Sequence, residues 1–297
     1  MNSAPIIVTG AAGFAGRHVV RRLLAAGLTV EAWVHREALP ADIGLERVRT
    51  IDICDAAACR RAIAATRPGG LIHLAAVTSP RDAARAPAAA WAVNVEGTRN
   101  VLAPLSPDVP AVFASTCHVY GEPLQLPLTE DTPMRPVGVY AESKMEAEIA
   151  ARAAHPRTVI ARAFHHTGPG QAPRFALAQW ARDLESGARP VRTGDLSLRR
   201  DYSDVRDIAG GYVRLLDAAP AGAVVNLCSG AAPTLGELLA IMAAGAPVQT
   251  AVNPAWLRDN DPREIRGTTA RAGALGWGVT TPIARTLRDL RRSMRDS

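Results

Sequence analysis

The chain has 297 residues, of which 48% are hydrophobic and 21% charged, with 24 glycines and 22 prolines. This balance excludes a disordered chain and favours one large globular unit or two closely joined lobes. The formal net charge of +6 does not indicate nucleic-acid binding, because the arginines are scattered among acidic residues.

The N-terminus lacks a signal-peptide pattern, and no apolar run reaches about 18 residues. We therefore expect a cytoplasmic protein that does not bind a membrane. The cysteines form neither a CxxC pair nor a disulfide-like framework, so we expect reduced thiols and no metal site. They stand at Cys54, Cys59, Cys117 and Cys228.

Strand-like and helix-like segments alternate along the first half of the chain, which is typical of a parallel sheet covered by helices on both faces. Strands are predicted at residues 5–10, 28–34, 70–76, 109–115 and 157–164, and helices at 14–26, 55–66, 87–105 and 139–154. After Gly168 the alternation weakens, with helices at 174–186, from 234 and from 282, and a strand at 222–230.

These elements predict an α/β fold, a Rossmann-type doubly wound parallel sheet with a smaller C-terminal substrate-binding lobe. The dinucleotide-binding domain is expected mainly within residues 1–165 and the substrate lobe mainly within 166–297. Part of the chain, at about residues 200–230, is expected to return to the first domain.

A glycine-rich turn follows the first predicted strand. Gly10, Gly13 and Gly16 have the spacing G-x-x-G-x-x-G. Glycine permits a tight turn and lets backbone N–H groups approach a pyrophosphate at the helix N-terminus, where the helix dipole favours negative charge. The position between a strand and an amphipathic helix favours dinucleotide binding over a plain turn.

The second strand indicates which dinucleotide binds. It ends in Val34, His35 and Arg36, where NAD-binding proteins usually carry Asp or Glu on the ribose hydroxyls. Arg36 could hold a 2′-phosphate or could simply be exposed, and Glu31 lies mid-strand, too early to serve as the missing acid. We expect NADP(H). Asp52 lies either near the adenine or in a capping role that is equally open to Asp55.

A YxxxK motif stands at Tyr140 and Lys144, which places both side chains on one helix face. Lys144 is the one lysine in the sequence, beside 33 arginines, which is either chance or the sign of a site that needs a compact ammonium. Next to a dinucleotide, that ammonium would lower the pKa of Tyr140, so that its hydroxyl could exchange a proton with a substrate oxygen.

The chain resembles the extended short-chain dehydrogenase/reductases that act on nucleotide sugars, over essentially its full length. The segments that carry the resemblance are VTGAAGFAG, HLAA, NVEGTRNVL, ASTCHVYG, YAESK, RAFHHTGPGQ and RRDYSDVRDIAGGY. It is most similar to the GDP-mannose 4,6-dehydratase and GDP-4-keto-6-deoxymannose reductase group, which uses NADP(H).

The resemblance implies roles for particular residues. Thr116, Tyr140 and Lys144 would form the catalytic triad. The cofactor-binding residues would be Gly10, Gly13, Phe14, Ala15, Gly16, His35, Arg36, Asp52, Ile53, Leu74, Ala75 and Ala76, with Tyr140 and Lys144. The substrate-binding residues would be Cys117, His118, His165, Gln171, Arg174, Arg200 and Arg258, with Arg199 and Arg266 as alternatives for the phosphate contacts. His73 would support the loop beside the cofactor.

Cys117 and His118 depart from the dehydratase pattern. Dehydratases similar to this chain follow the catalytic hydroxyl with an acid/base pair, commonly Asp-Glu, which removes water from the sugar. The absence of both carboxylates favours reduction of a C4 keto group of a GDP-linked 4-keto-6-deoxy sugar. His118 could instead act as a base with Cys117, although packing or substrate contact is the favoured interpretation.

Two other functions remain open. One is a nucleotide-sugar epimerase or 4,6-dehydratase that retains its cofactor, and the other is a non-enzymatic NADP sensor. His165 stands where relatives usually carry Asn, which leaves that substrate contact open. The resemblance also implies a homodimer, joined through a four-helix bundle that includes the YxxxK helix.

Overall fold

A computed structural model describes residues 4–257 and 261–295. Within them the strands are β1 (Ile6–Thr9), β2 (Val30–Val34), β3 (Val48–Thr50), β4 (Gly70–His73), β5 (Ala111–Thr116), β6 (Thr158–Ala163), β7 (His165–Thr167), β8 (Val191–Thr193), β9 (Arg199–Arg200), β10 (Tyr202–Asp204), β11 (Val224–Leu227), β12 (Thr250–Val252) and β13 (Glu264–Ile265). The α-helices are α1 (Phe14–Ala25), α2 (Ala56–Thr66), α3 (Pro80–Arg85), α4 (Pro87–Trp91), α5 (Gly97–Leu102), α6 (Val139–Ala154), α7 (Ala176–Glu185), α8 (Val205–Ala218), α9 (Leu235–Met242), α10 (Ala270–Ala274) and α11 (Ile283–Arg295).

One parallel sheet organises the N-terminal half. Its strands have the order β11-β6-β5-β4-β1-β2-β3, and neighbouring strands pair in parallel throughout. Helices cover both faces, as near-continuous apolar strands require. The predicted Rossmann-type class is confirmed. Thr9 pairs with His73, and Thr116 with Ala163, so the carboxyl ends of the central strands lie at one edge.

Two apolar layers hold the helices against the sheet. On one face Val19 and Leu23 of α1 and Ile208 of α8 pack on Val8 of β1. On the other face a second cluster joins β1, β2, β5 and β6 to α2, α5 and α6. Burying each large aliphatic side chain contributes about 1.5–3 kcal/mol. These layers therefore set how α1 and α6 lie relative to the strand ends.

The helix predicted at residues 87–105 is interrupted and ends at Leu102. A π-helical turn, Ala92–Glu96, separates α4 from α5. Buried Asn94 lies in this turn, accepts a hydrogen bond from the Val77 amide (2.8 Å) and donates to the Ser143 hydroxyl of α6 (2.9 Å). The hydrogen bonds of Asn94 thus join the loop after β4 to α6. π-Helical turns of this kind are frequent at functional sites.

The C-terminal half is built from short parallel strand pairs and helices. β7 pairs with β10, β8 with β12 and β9 with β13. Helices α7, α9 and α11 share an apolar cluster, while β11 and α8 lie with the N-terminal sheet. The division into two domains stays a prediction. Over the described ranges, no helix combines the length and apolar character needed to cross a membrane.

Candidate active site

The glycine turn after β1 has no room for side chains at two positions. Gly10 has φ +65°, and a Cβ there would lie 2.8 Å from the Ala75 nitrogen. A Cβ on Gly16 would lie 2.1 Å from the Gly10 oxygen, and Gly13 is the N-cap of α1. No side chain caps the N-terminus of α1, so its first backbone N–H groups are available to a phosphate, as a dinucleotide site requires. Phe14 and Ala15 follow in the first turn of α1.

A chain of hydrogen bonds holds the loop after β4 against this turn. The Thr9 hydroxyl accepts from the amides of Leu74 (3.1 Å) and Ala75 (3.2 Å), so its own proton goes to Nδ1 of His73 (2.6 Å). Nε2 of His73 then donates to Thr98 (3.1 Å). Burial lowers the pKa of His73 to about 3, so the ring is neutral. His73 has the supporting position expected of it. β4 ends at His73 rather than residue 76, because these amides bond to Thr9.

The segment that follows β2 presents Arg36 to a groove that Glu37 and Glu46 also line. His35 and Arg36 are exposed and line this groove of about 600 Å³. Glu31 is 2% exposed, and its carboxylate accepts from the Trp33 indole (3.0 Å) and the Thr66 hydroxyl (2.8 Å) and pairs with Arg49. Glu31 is therefore committed to packing beneath the sheet. The expectation that it cannot replace the missing acid is confirmed.

The loop after β3 holds the other residues expected near the adenine. The Asp52 carboxylate accepts from the Cys54 amide (2.9 Å) and lies 3.9 Å from His35. The carbonyl of buried Ile53 accepts from Asn100 (3.0 Å). Asp55 caps α2. Asp52 thus lies beside His35 at the rim of the groove, while Asp55 takes the capping role. Ala76 continues the half-buried loop after β4.

The structure brings the three triad residues together. Thr116 ends β5, Tyr140 and Lys144 lie one turn apart on α6, and Thr116 is close enough to Tyr140 to influence the pKa of its phenol. Burial raises the pKa of Tyr140 to about 12, and the Thr116 hydroxyl acts in the opposite direction. The expectation of a lowered pKa is wrong for this geometry, because desolvation of the phenolate dominates. Tyr140 therefore keeps its proton at neutral pH.

Lys144 faces the sheet rather than the phenol. Its Nζ donates to the Ala114 carbonyl (2.6 Å) and lies 4.1 Å from the centre of the Phe113 ring. Burial lowers the pKa of Lys144 to about 7, while the charge of Glu148 acts to raise it. The ammonium charge is thus marginal at neutral pH. This orientation explains why Lys144 does not lower the pKa of Tyr140.

Cys117 and His118 follow Thr116 in a short 3-10 helix, Cys117–Tyr120, and His165 of β7 joins them. The His118 ring lies edge-on to Tyr140, with centroids 5.7 Å apart, and 5.6 Å from the His165 ring. Burial raises the pKa of the Cys117 thiol to about 12, so it is a poor base. The two imidazoles, both half-buried, border the space above Tyr140.

The other expected substrate residues occupy varied positions. Arg200 is 5% exposed and donates to the Asp261 carboxylate (2.7 Å) and the Pro262 carbonyl (2.8 Å). Gln171 accepts from Thr167 and donates to the His166 carbonyl, so it braces its own loop. Arg174 is exposed. Arg199 donates to the Ala232 carbonyl, and Arg266 pairs with Glu264. Arg258 lies outside the described residues. Their contacts with a substrate stay predictions.

A buried ion pair behind the triad was missed from the sequence. Glu148 extends the Tyr140–Lys144 face by one turn and is 2% exposed. Its carboxylate accepts from Nη2 (2.8 Å) and Nε (3.0 Å) of Arg162 and from the Ser115 hydroxyl. The available signal was Y-x-x-x-K-x-x-x-E, a helical repeat of polar residues on a face that must be buried.

The comparisons with known proteins agree with this geometry. The sequence profile of the NAD dependent epimerase/dehydratase family matches residues 6–228. GDP-6-deoxy-D-mannose reductase from Pseudomonas aeruginosa is 32% identical over 300 residues, covering 95% of this chain and 94% of that protein. The chain belongs to the NAD dependent epimerase/dehydratase family, a family of NAD(P)-dependent enzymes.

Two solved structures show the same fold with different dinucleotides. RMD from Pseudomonas aeruginosa, complexed with NADPH, has a TM-score of 0.84 at 29% identity and covers 99% of both chains. UDP-glucose 4-epimerase from Thermus thermophilus, in complex with NAD, has a TM-score of 0.86 at 28% identity, covering 98% of this chain and 99% of that one. Both a reductase and an epimerase reaction are therefore represented among similar proteins.

Proposed function

We propose that this protein reduces the C4 keto group of a nucleotide-linked 4-keto-6-deoxy sugar with NADPH. The substrate is GDP-4-keto-6-deoxy-D-mannose and the product GDP-D-rhamnose or its C4 epimer, GDP-6-deoxy-D-talose. One observation carries the proposal: a Thr116–Tyr140 pair stands at the strand edge, while the next two positions are Cys117 and His118 rather than carboxylates. The similarity to a GDP-6-deoxy-D-mannose reductase supports the GDP-linked substrate.

The residues of this chain suit the reductive direction. When bound, NADPH supplies the hydride. As negative charge develops on the C4 oxygen, Tyr140 donates its phenolic proton and Thr116 donates a hydrogen bond, which stabilises the charge where it forms. The phenol holds its proton at neutral pH, so it can donate that proton to the C4 oxygen as an alkoxide develops there.

The reaction is tested by mixing the purified protein with NADPH and GDP-4-keto-6-deoxy-D-mannose. We expect one NADPH to be consumed for each keto sugar reduced. An isomerised sugar without net NADPH loss would instead establish an epimerase that retains its cofactor. Conversion of GDP-mannose to the 4-keto-6-deoxy sugar in a parallel assay would establish a 4,6-dehydratase. Binding of NADPH without any change in the sugar would indicate a sensor.

Arg36 supports NADPH over NADH. It is exposed at the end of β2, where Glu31 is unavailable because it is buried with Trp33 and Thr66. Hydrogen bonds to a charged group contribute about 1.5–3 kcal/mol, so Arg36→Glu should weaken NADPH binding by about tenfold or more and leave NADH binding unchanged. Fluorescence titration measures both affinities. Arg60→Glu, an exposed change on α2, is the control, and equal weakening of both dinucleotides would contradict the assignment.

Lys144 should make dinucleotide binding depend on pH. Its lowered pKa, about 7, means that it is charged below pH 7 and neutral above it. Ribose hydroxyls and phosphates favour the ammonium, so affinity should be greatest below pH 7 and decrease as pH rises through 7. Calorimetric titration at pH 7.5 in buffers of different ionisation enthalpy should show proton uptake. The same uptake in Lys144→Met would refute the role of this residue.

A homodimer and a cytoplasmic location stay predictions. The identity of the base and the stereochemistry of the product at C4 also stay predictions. The similarity to the GDP-6-deoxy-D-mannose reductase supports guanine as the base.

A further inference from the structure

Three potential metal ligands meet beside Tyr140. One donor atom from each of Cys117, His118 and His165 can be chosen so that all three lie within 4.8 Å of one another. Cys117 and His118 come from the short helix after β5, and His165 begins β7. β5 and β6 pair in parallel up to Thr116 and Ala163, and the three ligands lie one or two residues beyond these strand ends.

The donor set is chemically selective. A thiolate with two imidazoles is typical of Zn²⁺, whose bonds of about 2.0–2.3 Å place tetrahedral ligands about 3.5 Å apart. The donor atoms lie within 4.8 Å of one another, so coordination requires them to move closer together, and the two imidazoles are half-buried rather than fully packed. The hard ligands that favour Mg²⁺ or Ca²⁺ are not part of the cluster.

The surroundings of Cys117 raise the pKa of its thiol, chiefly through burial and also through the Asp201 charge, while Arg200 acts in the opposite direction. A divalent cation must offset this cost, and the Asp201 charge favours such a cation. Arg200 is also paired with Asp261 at 2.7 Å. On coordination the thiol releases one proton to solvent and binds as thiolate, so the site gains one positive charge in total.

We infer that Cys117, His118 and His165 form a Zn²⁺ site that closes the substrate pocket. The ion takes three protein ligands and one water, next to the Tyr140 ring that His118 contacts edge-on. It occupies the space where the sugar must reach Thr116 and Tyr140. Binding of the metal is independent of the proposed reaction, and only the inhibition that it causes rests on that function. The cysteine spacing led us to expect no metal site. That expectation did not consider that the fold brings His165 next to Cys117 and His118.

Cobalt binding tests the site without any turnover. Metal-free protein titrated with Co²⁺ should develop a sulfur-to-cobalt absorption band in the near ultraviolet at one equivalent, and Zn²⁺ should displace it. Cys117→Ala should abolish the band, and His165→Asn should weaken binding by about tenfold or more, the smallest cost expected for loss of a ligand. Cys54→Ser, which removes an exposed cysteine elsewhere, should leave the titration unchanged.

Inhibition provides the second measurement. Zn²⁺ should inhibit NADPH oxidation competitively with the keto sugar, EDTA should restore the rate, and His165→Asn should need about tenfold more Zn²⁺ relative to its own uninhibited rate. His118→Asn, at a half-exposed position, repeats the test if Cys117→Ala fails to fold. The inference is overturned if wild type shows no sulfur-to-cobalt band, or if Cys117→Ala retains it. A cobalt band without keto-sugar reduction would overturn the proposed function alone.

Discussion

Replacing Tyr140 with phenylalanine should reduce kcat for keto-sugar reduction by about 10²- to 10⁴-fold, the usual contribution of a positioned general acid. The phenol is the proposed proton donor, and it lies near the Thr116 hydroxyl at the end of β5. Its raised pKa, about 12, means that the lost group was fully protonated in wild type. The affinity for NADPH should be nearly unchanged, because the ring that packs in the site remains. NADPH absorbance measures turnover, and NADPH fluorescence measures binding.

Thr116→Val is the matched variant for this prediction. It removes the hydrogen-bond partner and keeps a side chain of similar shape, so kcat should fall while binding persists. Because Thr116 and Tyr140 act on the same oxygen, the double variant should lose less than the product of the two single effects. Retention of wild-type turnover in Tyr140→Phe would refute the proposed mechanism. A parallel loss of NADPH binding would point instead to a structural role.

Replacing Glu148 with alanine should destabilise the protein by about 3–5 kcal/mol, the usual cost of leaving a buried charge without its partner. Arg162 is 4% exposed, and both Glu148 carboxylate oxygens accept from its guanidinium (3.0 and 2.8 Å). The charge of Glu148 also partly offsets the lowering of the Lys144 pKa by burial. We therefore expect a lower urea midpoint together with a shift of the pH dependence of dinucleotide binding to lower pH.

The control for this prediction separates the charge from the packing. A double variant, Glu148→Leu with Arg162→Leu, removes both charges and should recover much of the lost stability. Glu96→Ala breaks an exposed ion pair with Arg99 and should cost at most about 1 kcal/mol. If Glu148→Ala were as mild as Glu96→Ala, the buried pair would not hold α6 against β6.

Local sequence patterns predicted the parallel sheet and the order of its strands and helices along the chain. The strands with continuous apolar runs and the glycine turn between β1 and α1 depend on neighbouring residues, so the sequence predicts them well. The π-helical turn could not be predicted in this way, because it accompanies contacts of Asn94 with Val77 and Ser143, far along the chain. Two predicted elements also extended too far. β4 ends at His73, where the following amides bond to Thr9, and α5 ends at Leu102.

The site shows a similar division. The YxxxK spacing places Tyr140 and Lys144 on one face, and this part is observed. The direction of the Tyr140 pKa shift was missed because it depends on how deeply α6 is buried and on where the Lys144 ammonium points. The meeting of His165 with Cys117 depends on how β5, β6 and β7 are placed relative to one another. No motif within one segment records that placement.

Phe14 stacks on His166 with ring planes 5° apart, and His18 bonds to the Pro169 carbonyl at 3.1 Å. The segment from β7 into the following loop thus rests on the first turns of α1, beside the dinucleotide turn, and His165 at its start borders the proposed sugar pocket. If a ligand at one site shifts this segment, it will change the free energy of binding at the other site. By thermodynamic linkage the change is reciprocal: whatever factor the sugar contributes to dinucleotide affinity, the dinucleotide contributes to sugar affinity.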